Sequence, residues 1–197
     1  MPRLEATGGG LADLIPSTPP PVARRVGLLV ATGLASGLIC WLGGLLAPEH
    51  STLIRVFPGL VFGALLAAVG PRAGLAGQHA ALLPGLIVTL AGVGAWRAAV
   101  DWGYLHGRPW PMLAAGALGG GLLTAGLALA WRWREGVWRT LLVVTVCGAL
   151  AAQGVQWLWN LWPGMDENLR AGLLFIAWQV CVAAALGYAA PSTPRAS

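Results

Sequence analysis

Apolar runs of about 20 residues recur along this chain, the length a helix needs to cross the hydrocarbon of a bilayer. The first follows Arg24-Arg25 and covers residues 26–47. Further runs cover 53–70, 79–96, 110–130, 138–160 and 169–190. A soluble fold would have to hide all of them behind polar surface. The composition does not supply it: 57% of residues are hydrophobic and 10% are charged, against about 25% charged in an ordinary soluble domain. In lipid the apolar side chains can face outward, and the difficulty disappears.

Barrel strands alternate polar and apolar residues with a period of two. These runs are apolar all round and about twice strand length. Backbone groups in lipid must be satisfied within the segment, so such a run folds as a helix. The expectation is an all-α polytopic membrane protein, a bundle of about six transmembrane helices, with residues 24–190 as one transmembrane domain. Arg55 interrupts the start of the second run and Gln78-His79 opens the third. Were both to fail as spans, they would form one re-entrant hairpin and leave four crossings.

Residues 1–23 and 191–197 read as disordered cytoplasmic tails, because Gly8-Gly9-Gly10, Ser17-Thr18-Pro19-Pro20-Pro21 and Pro191-Ser192-Thr193-Pro194 break any regular pattern. The first tail is no ordinary signal peptide. It carries Glu5 and Asp13, and no small-residue cleavage site closes a short apolar region.

Every basic residue is arginine, which fits a GC-rich bacterial genome. The net charge of +5 does not point to nucleic acid, since the arginines are spread between apolar runs instead of gathered on one face. Their placement does orient the bundle. With six crossings and the N-terminus inside, Arg3, Arg24, Arg25, Arg72, Arg132, Arg134, Arg139 and Arg195 fall on the cytoplasmic side. Arg55, Arg97, Arg108 and Arg170 fall outside. The excess favours an N-in, C-in protein of the inner membrane. Tryptophans follow the same levels: Trp131, Trp133 and Trp138 near inner ends, most others near outer ends, and Trp178 alone in mid-span.

Few residues carry chemistry. Cys40, Cys147 and Cys181 each lie inside an apolar run and read as packing residues. Histidines 50, 79 and 106 fall in three separate places, so no metal site is expected. No serine-nucleophile motif occurs. Asp101 with His106 is the one pair that a lipid-directed enzyme could use. If the third helix continues past Trp96, Arg97 and Asp101 become an i,i+4 pair on it.

Gln153, Gln156 and Asn160 share one face of the fifth span, and Gln179 lies near the middle of the sixth. Amides in hydrocarbon need partners. They either bond across helices or line a polar cavity open to the outside, with Trp157 and Trp159 at its mouth. Two Pro-Gly steps, Pro58-Gly59 and Pro84-Gly85, and the triplet Gly119-Gly120-Gly121 mark places where a helix could break. Small residues four apart, such as Ala31 with Ala35, Gly33 with Gly37 and Gly116 with Gly120, favour close helix packing. Pro48 precedes Arg55 by seven positions, as Pro163 precedes Arg170.

In size and span count the chain resembles the small six-helix substrate-binding subunits of energy-coupling-factor vitamin importers, a likeness of architecture that no motif carries. The expectation from the amides themselves is a transport or solute-binding protein, with Gln153, Gln156, Asn160 and Gln179 as the solute-binding groups between the fifth and sixth helices. The alternative is a non-catalytic structural or assembly subunit of a larger membrane complex. The expected partners are the lipid bilayer, a small solute, and membrane proteins or further copies of the chain. Neither cofactor nor nucleic acid is expected.

Overall fold

A computed structural model describes residues 20–46, 56–76, 82–106 and 110–191, with the Tyr104 side chain left out. Among them are six α-helices: α1 (Val22–Leu46), α2 (Phe57–Val69), α3 (Leu82–Ala98), α4 (Pro111–Ala130), α5 (Val137–Leu161) and α6 (Glu167–Ala189). No strand occurs among the described residues. Five helices are long and apolar enough to cross a membrane, which makes the chain a helical, multi-pass membrane protein.

Local chemistry fixes where the helices start. Proline opens the first turn of α2 and α4, where its missing N–H costs nothing. Asp166 caps α6 by accepting from the Asn168 and Leu169 backbone N–H groups at 2.9 and 3.2 Å. Both suspected Pro-Gly breaks sit in first turns, and α2 and α3 run unbroken through them. The Gly119–Gly121 triplet does not break α4 either. Gly119 faces the Trp178 ring and Gly120 faces the Val144 carbonyl, so both positions serve packing.

The α3 helix outruns its sequence limit. It continues without a gap into a π-helical segment, Ala99–Tyr104. That extension brings Arg97 and Asp101 together as an ion pair one turn apart. The α2 helix starts later than the apolar run suggested, at Phe57. Helical backbone bonds carry it past Val69 to Ala73, about 25 Å of rise in all.

Each helix packs against its neighbours in sequence, and α1 closes the ring by lying along α6. Glycines set the closest seams. A Cβ at Gly33 would lie 2.6 Å from the Gln179 carbonyl oxygen. Gly59 of α2 meets Gly92 of α3, and Gly116 of α4 meets Gly148 of α5. Close backbone approach is how membrane helices gain dispersion energy where lipid removes the hydrophobic drive. The ring is filled by Leu29, Phe62, Leu66, Leu123, Leu127, Val144, Val182 and Leu186, all fully buried.

The turns after α2 and α4 have the same construction. Leu75 N–H returns to the Gly70 carbonyl (2.9 Å) and Gly74 N–H to Pro71 (3.1 Å). Trp133 N–H returns to Ala128 (3.0 Å) and Arg132 N–H to Leu129 (3.3 Å). The residue that reverses the chain has positive φ in both, +74° at Gly74 and +51° at Arg132. The Trp133 indole then donates to the Leu75 carbonyl at 2.8 Å, joining the two turns. Trp131 and Trp133 are therefore buried at the end of the ring. The expected aromatic belt keeps Trp138 there, which is 81% exposed.

One end of the bundle thus gathers the start of α1, these two turns and the end of α6. Pro20 touches Gly74, and Pro191 approaches Gly136. Among the described residues this end holds Arg24, Arg25, Arg72, Arg132, Arg134 and Arg139 with Glu135. The opposite end holds Arg97 and Arg170 with Asp101, Asp166 and Glu167. Arg3, Arg55, Arg108, Arg195, Pro48, His50 and His79 lie outside the described residues.

Candidate functional site

A cavity of about 220 Å³ opens inside the ring, in the half away from the arginine-rich end. Five elements wall it. The α3 helix and the π segment bring Trp96, Ala99 and Val100, while α4 brings Met112, Ala115 and Gly116. Ala152 comes from α5, and α6 supplies Leu174, Phe175 and Trp178. The aromatic groups hold one another in place. Trp96 and Phe175 have ring centroids 5.4 Å apart, and Trp178 meets Phe62 of α2 edge-on at 6.0 Å.

Polar groups are few here. The Trp178 indole donates to the Gly116 carbonyl at 3.5 Å, a long and weak bond. The Trp96 indole N–H is buried with no partner among the described residues. A lining this apolar suits an apolar guest. The π segment shapes one wall, since Ala99 and Val100 belong to it. Its wider turn places Gly103 against the Ala115 backbone of α4. Helical segments of this kind recur at functional sites.

The four amides read from the sequence divide among three settings. Gln179 is 1% exposed and faces α1, where its amide nitrogen donates to the Cys40 sulfur at 3.6 Å. Its amide oxygen and the Ser36 hydroxyl, one turn before Cys40, have no partner among the described residues. Gln153 is 5% exposed. Its chain neighbour Ala152 meets Gly116 of α4. Between α5 and α6, the Thr140 hydroxyl donates to the Ala189 carbonyl at 2.9 Å. Gln156 donates to Asn160 at 3.2 Å on the outer surface of α5. No hydrogen bond joins Gln179 to Gln153, Gln156 or Asn160 among the described residues: Gln179 bonds toward α1, and Gln156 and Asn160 bond each other. Helical periodicity relates the three amides of α5 to one another, but it carries no information about which neighbour each one meets.

Other sequence candidates find structural partners. The Asp101 carboxylate is held by Arg97, and His106 lies against Trp102 with ring centroids 5.2 Å apart. The Pro163–Arg170 spacing is a real contact: the Arg170 guanidinium donates to the Pro163 carbonyl at 2.6 Å and closes the α5–α6 turn. Trp157 is exposed and Trp159 packs toward the core, and neither lines the cavity. The cavity itself was not foreseen, because its walls are the same residue types that face lipid. The one signal was Trp178, the single tryptophan away from both interfaces. Comparison with protein-family models, characterised proteins and solved structures gives no match to this chain.

Proposed function

We propose that this chain is a transport or solute-binding protein of a bacterial inner membrane, and that its solute occupies the cavity between the π segment, α4, α5 and α6. The observation that carries the reading is the cavity: about 220 Å³, walled by Trp96, Phe175 and Trp178 and bordered by irregular helix. The lining, almost wholly apolar, selects a small apolar solute. In this reading the chain crosses six times with both ends in the cytoplasm, so the cavity lies in the outer half. Gln153, Gln156, Asn160 and Gln179 then serve helix packing and the outer interface in place of the solute.

The test is purification in mild detergent with mass spectrometry of the bound small molecules, for the native chain and for Ala99→Leu. Leucine at 99 fills the cavity from the π wall without adding a polar group. A molecule that is retained by the native chain and by Gln156→Leu, and lost from Ala99→Leu, supports the site. Equal retention in all three rules the cavity out.

A second reading, a structural or assembly subunit, is favoured by one observation. Gly33 and Gly37 face α6, but Gly27, Ala31 and Ala35 form a small-residue stripe on the outside of α1. Such a stripe suits a further helix. A stable larger species on native gels, dispersed by Ala31→Leu, would favour it.

A further inference from the structure

We infer that Arg25 anchors a binding site for the phosphate of an anionic phospholipid at the arginine-rich end of the bundle. The site stands apart from the cavity and does not depend on a solute being there. Sequence reading treats Arg24 and Arg25 alike, as a pair that orients the first span. The structure separates them. Arg24 is exposed, while Arg25 is only 5% exposed. Arg25 begins the buried stripe of α1 that continues through Leu29, Thr32, Ser36 and Cys40. Helical side chains lean toward the N-terminus, so its guanidinium lies under the end of the ring.

The charge there is not matched. A guanidinium offers five N–H donors and keeps its proton at any working pH. One donor is used: Nε bonds the Gly187 carbonyl of α6 at 2.6 Å. Carbonyls at a helix C-terminus carry partial negative charge, well short of a full counter-charge. The terminal nitrogens have no hydrogen bond among the described residues. The ion pair found there, Arg97 with Asp101, lies at the other end. Glu135, the described carboxylate at this end, is exposed and makes no ion pair among the described residues. A guanidinium keeps its charge, so its remaining donors are available to an arriving anion.

The surroundings favour an anion and place it at lipid-headgroup height. Arg24, Arg72, Arg132, Arg134 and Arg139 stand exposed around the same end and raise the local anion concentration. Arg25 lies in the first turn of a membrane-spanning helix, the level at which headgroups lie. Deeper along α1, Leu28 is exposed and offers apolar contact for an acyl chain. The planar fork of arginine fits two phosphate oxygens at once.

The test uses the purified full chain in mild detergent, titrated with phosphatidylglycerol, phosphatidylcholine or inorganic phosphate, and read by native mass spectrometry and by thermal midpoint. Phosphatidylglycerol is expected to bind and raise the midpoint, while phosphatidylcholine does neither. Arg25→Gln should weaken phosphatidylglycerol binding at least about tenfold, and Arg24→Gln or Arg72→Gln by about twofold at most, since those charges are screened. Arg25→Lys keeps a point charge but loses the fork. It should fall between, and it carries the test if Arg25→Gln does not insert. Equal losses for Arg24→Gln and Arg25→Gln would mean diffuse surface attraction and overturn the site. Inorganic phosphate that binds as well as the lipid would overturn the lipid as occupant.

Discussion

The Trp133 indole N–H crosses from the turn after α4 to the Leu75 carbonyl in the turn after α2, at 2.8 Å and out of contact with solvent. Those turns are the same closure made twice, once with Gly74 at the reversing position and once with Arg132. Arginine at positive φ costs about 1 kcal/mol relative to glycine, so the second turn has less intrinsic stability and relies on Trp133 to hold it. Replacing Trp133 with Phe keeps the ring against Trp131, whose centroid is 6.0 Å away, and removes only the donor. The Leu75 carbonyl is then left unsatisfied at a cost of about 1–3 kcal/mol. The measurement is the thermal midpoint in detergent for Trp133→Phe beside Trp138→Phe, whose ring is exposed. Only the first should fall, and equal midpoints would show that the two turns are held by packing alone.

Among the elements, α3 with its π segment separates what the sequence could say from what it could not. Apolar length announced the helices, since lipid allows an apolar run no other fold, and the bounds of α4, α5 and α6 follow the runs closely. Length alone could not end α3, because Arg97 and Asp101 look like loop residues until they pair across one turn. Composition could not announce the π segment either, because Ala99-Val100-Asp101-Trp102-Gly103 is as compatible with an α-helix. The glycines were legible as packing residues. Only the structure divides them, sending Gly33 toward α6 and leaving Gly27 outside. A π turn holds an extra residue relative to an α turn. Deleting Val100 should return the segment to α-helical register and withdraw part of the cavity wall. The expected variant inserts, shows native helix content by circular dichroism, and no longer retains the cavity's guest. A variant that keeps its guest would separate the π segment from binding.

At the scale of the whole molecule, the ring has two chemically different ends, and the proposed orientation follows from that difference. Six arginines and one glutamate are described at the end with the start of α1 and the end of α6, against two arginines and three carboxylates at the other. Positive loops are retained on the cytoplasmic side during insertion, so the arginine-rich end should face inward. That one assignment puts the cavity in the outer half and the Arg25 site in the inner leaflet. Both placements can be tested together with single cysteines in a chain carrying Cys40→Ala, Cys147→Ala and Cys181→Ala. Glu135 and Glu167 are exposed at opposite ends, and neither makes an ion pair among the described residues. In intact cells a membrane-impermeant maleimide should label Glu167→Cys and spare Glu135→Cys, and both should react once the membrane is opened. Reversed labelling would place the cavity toward the cytoplasm and remove Arg25 from the inner leaflet. Labelling of both in sealed cells would mean an odd number of crossings between the two positions is not what separates them, and the ring could not then lie across the bilayer as a single layer of helices.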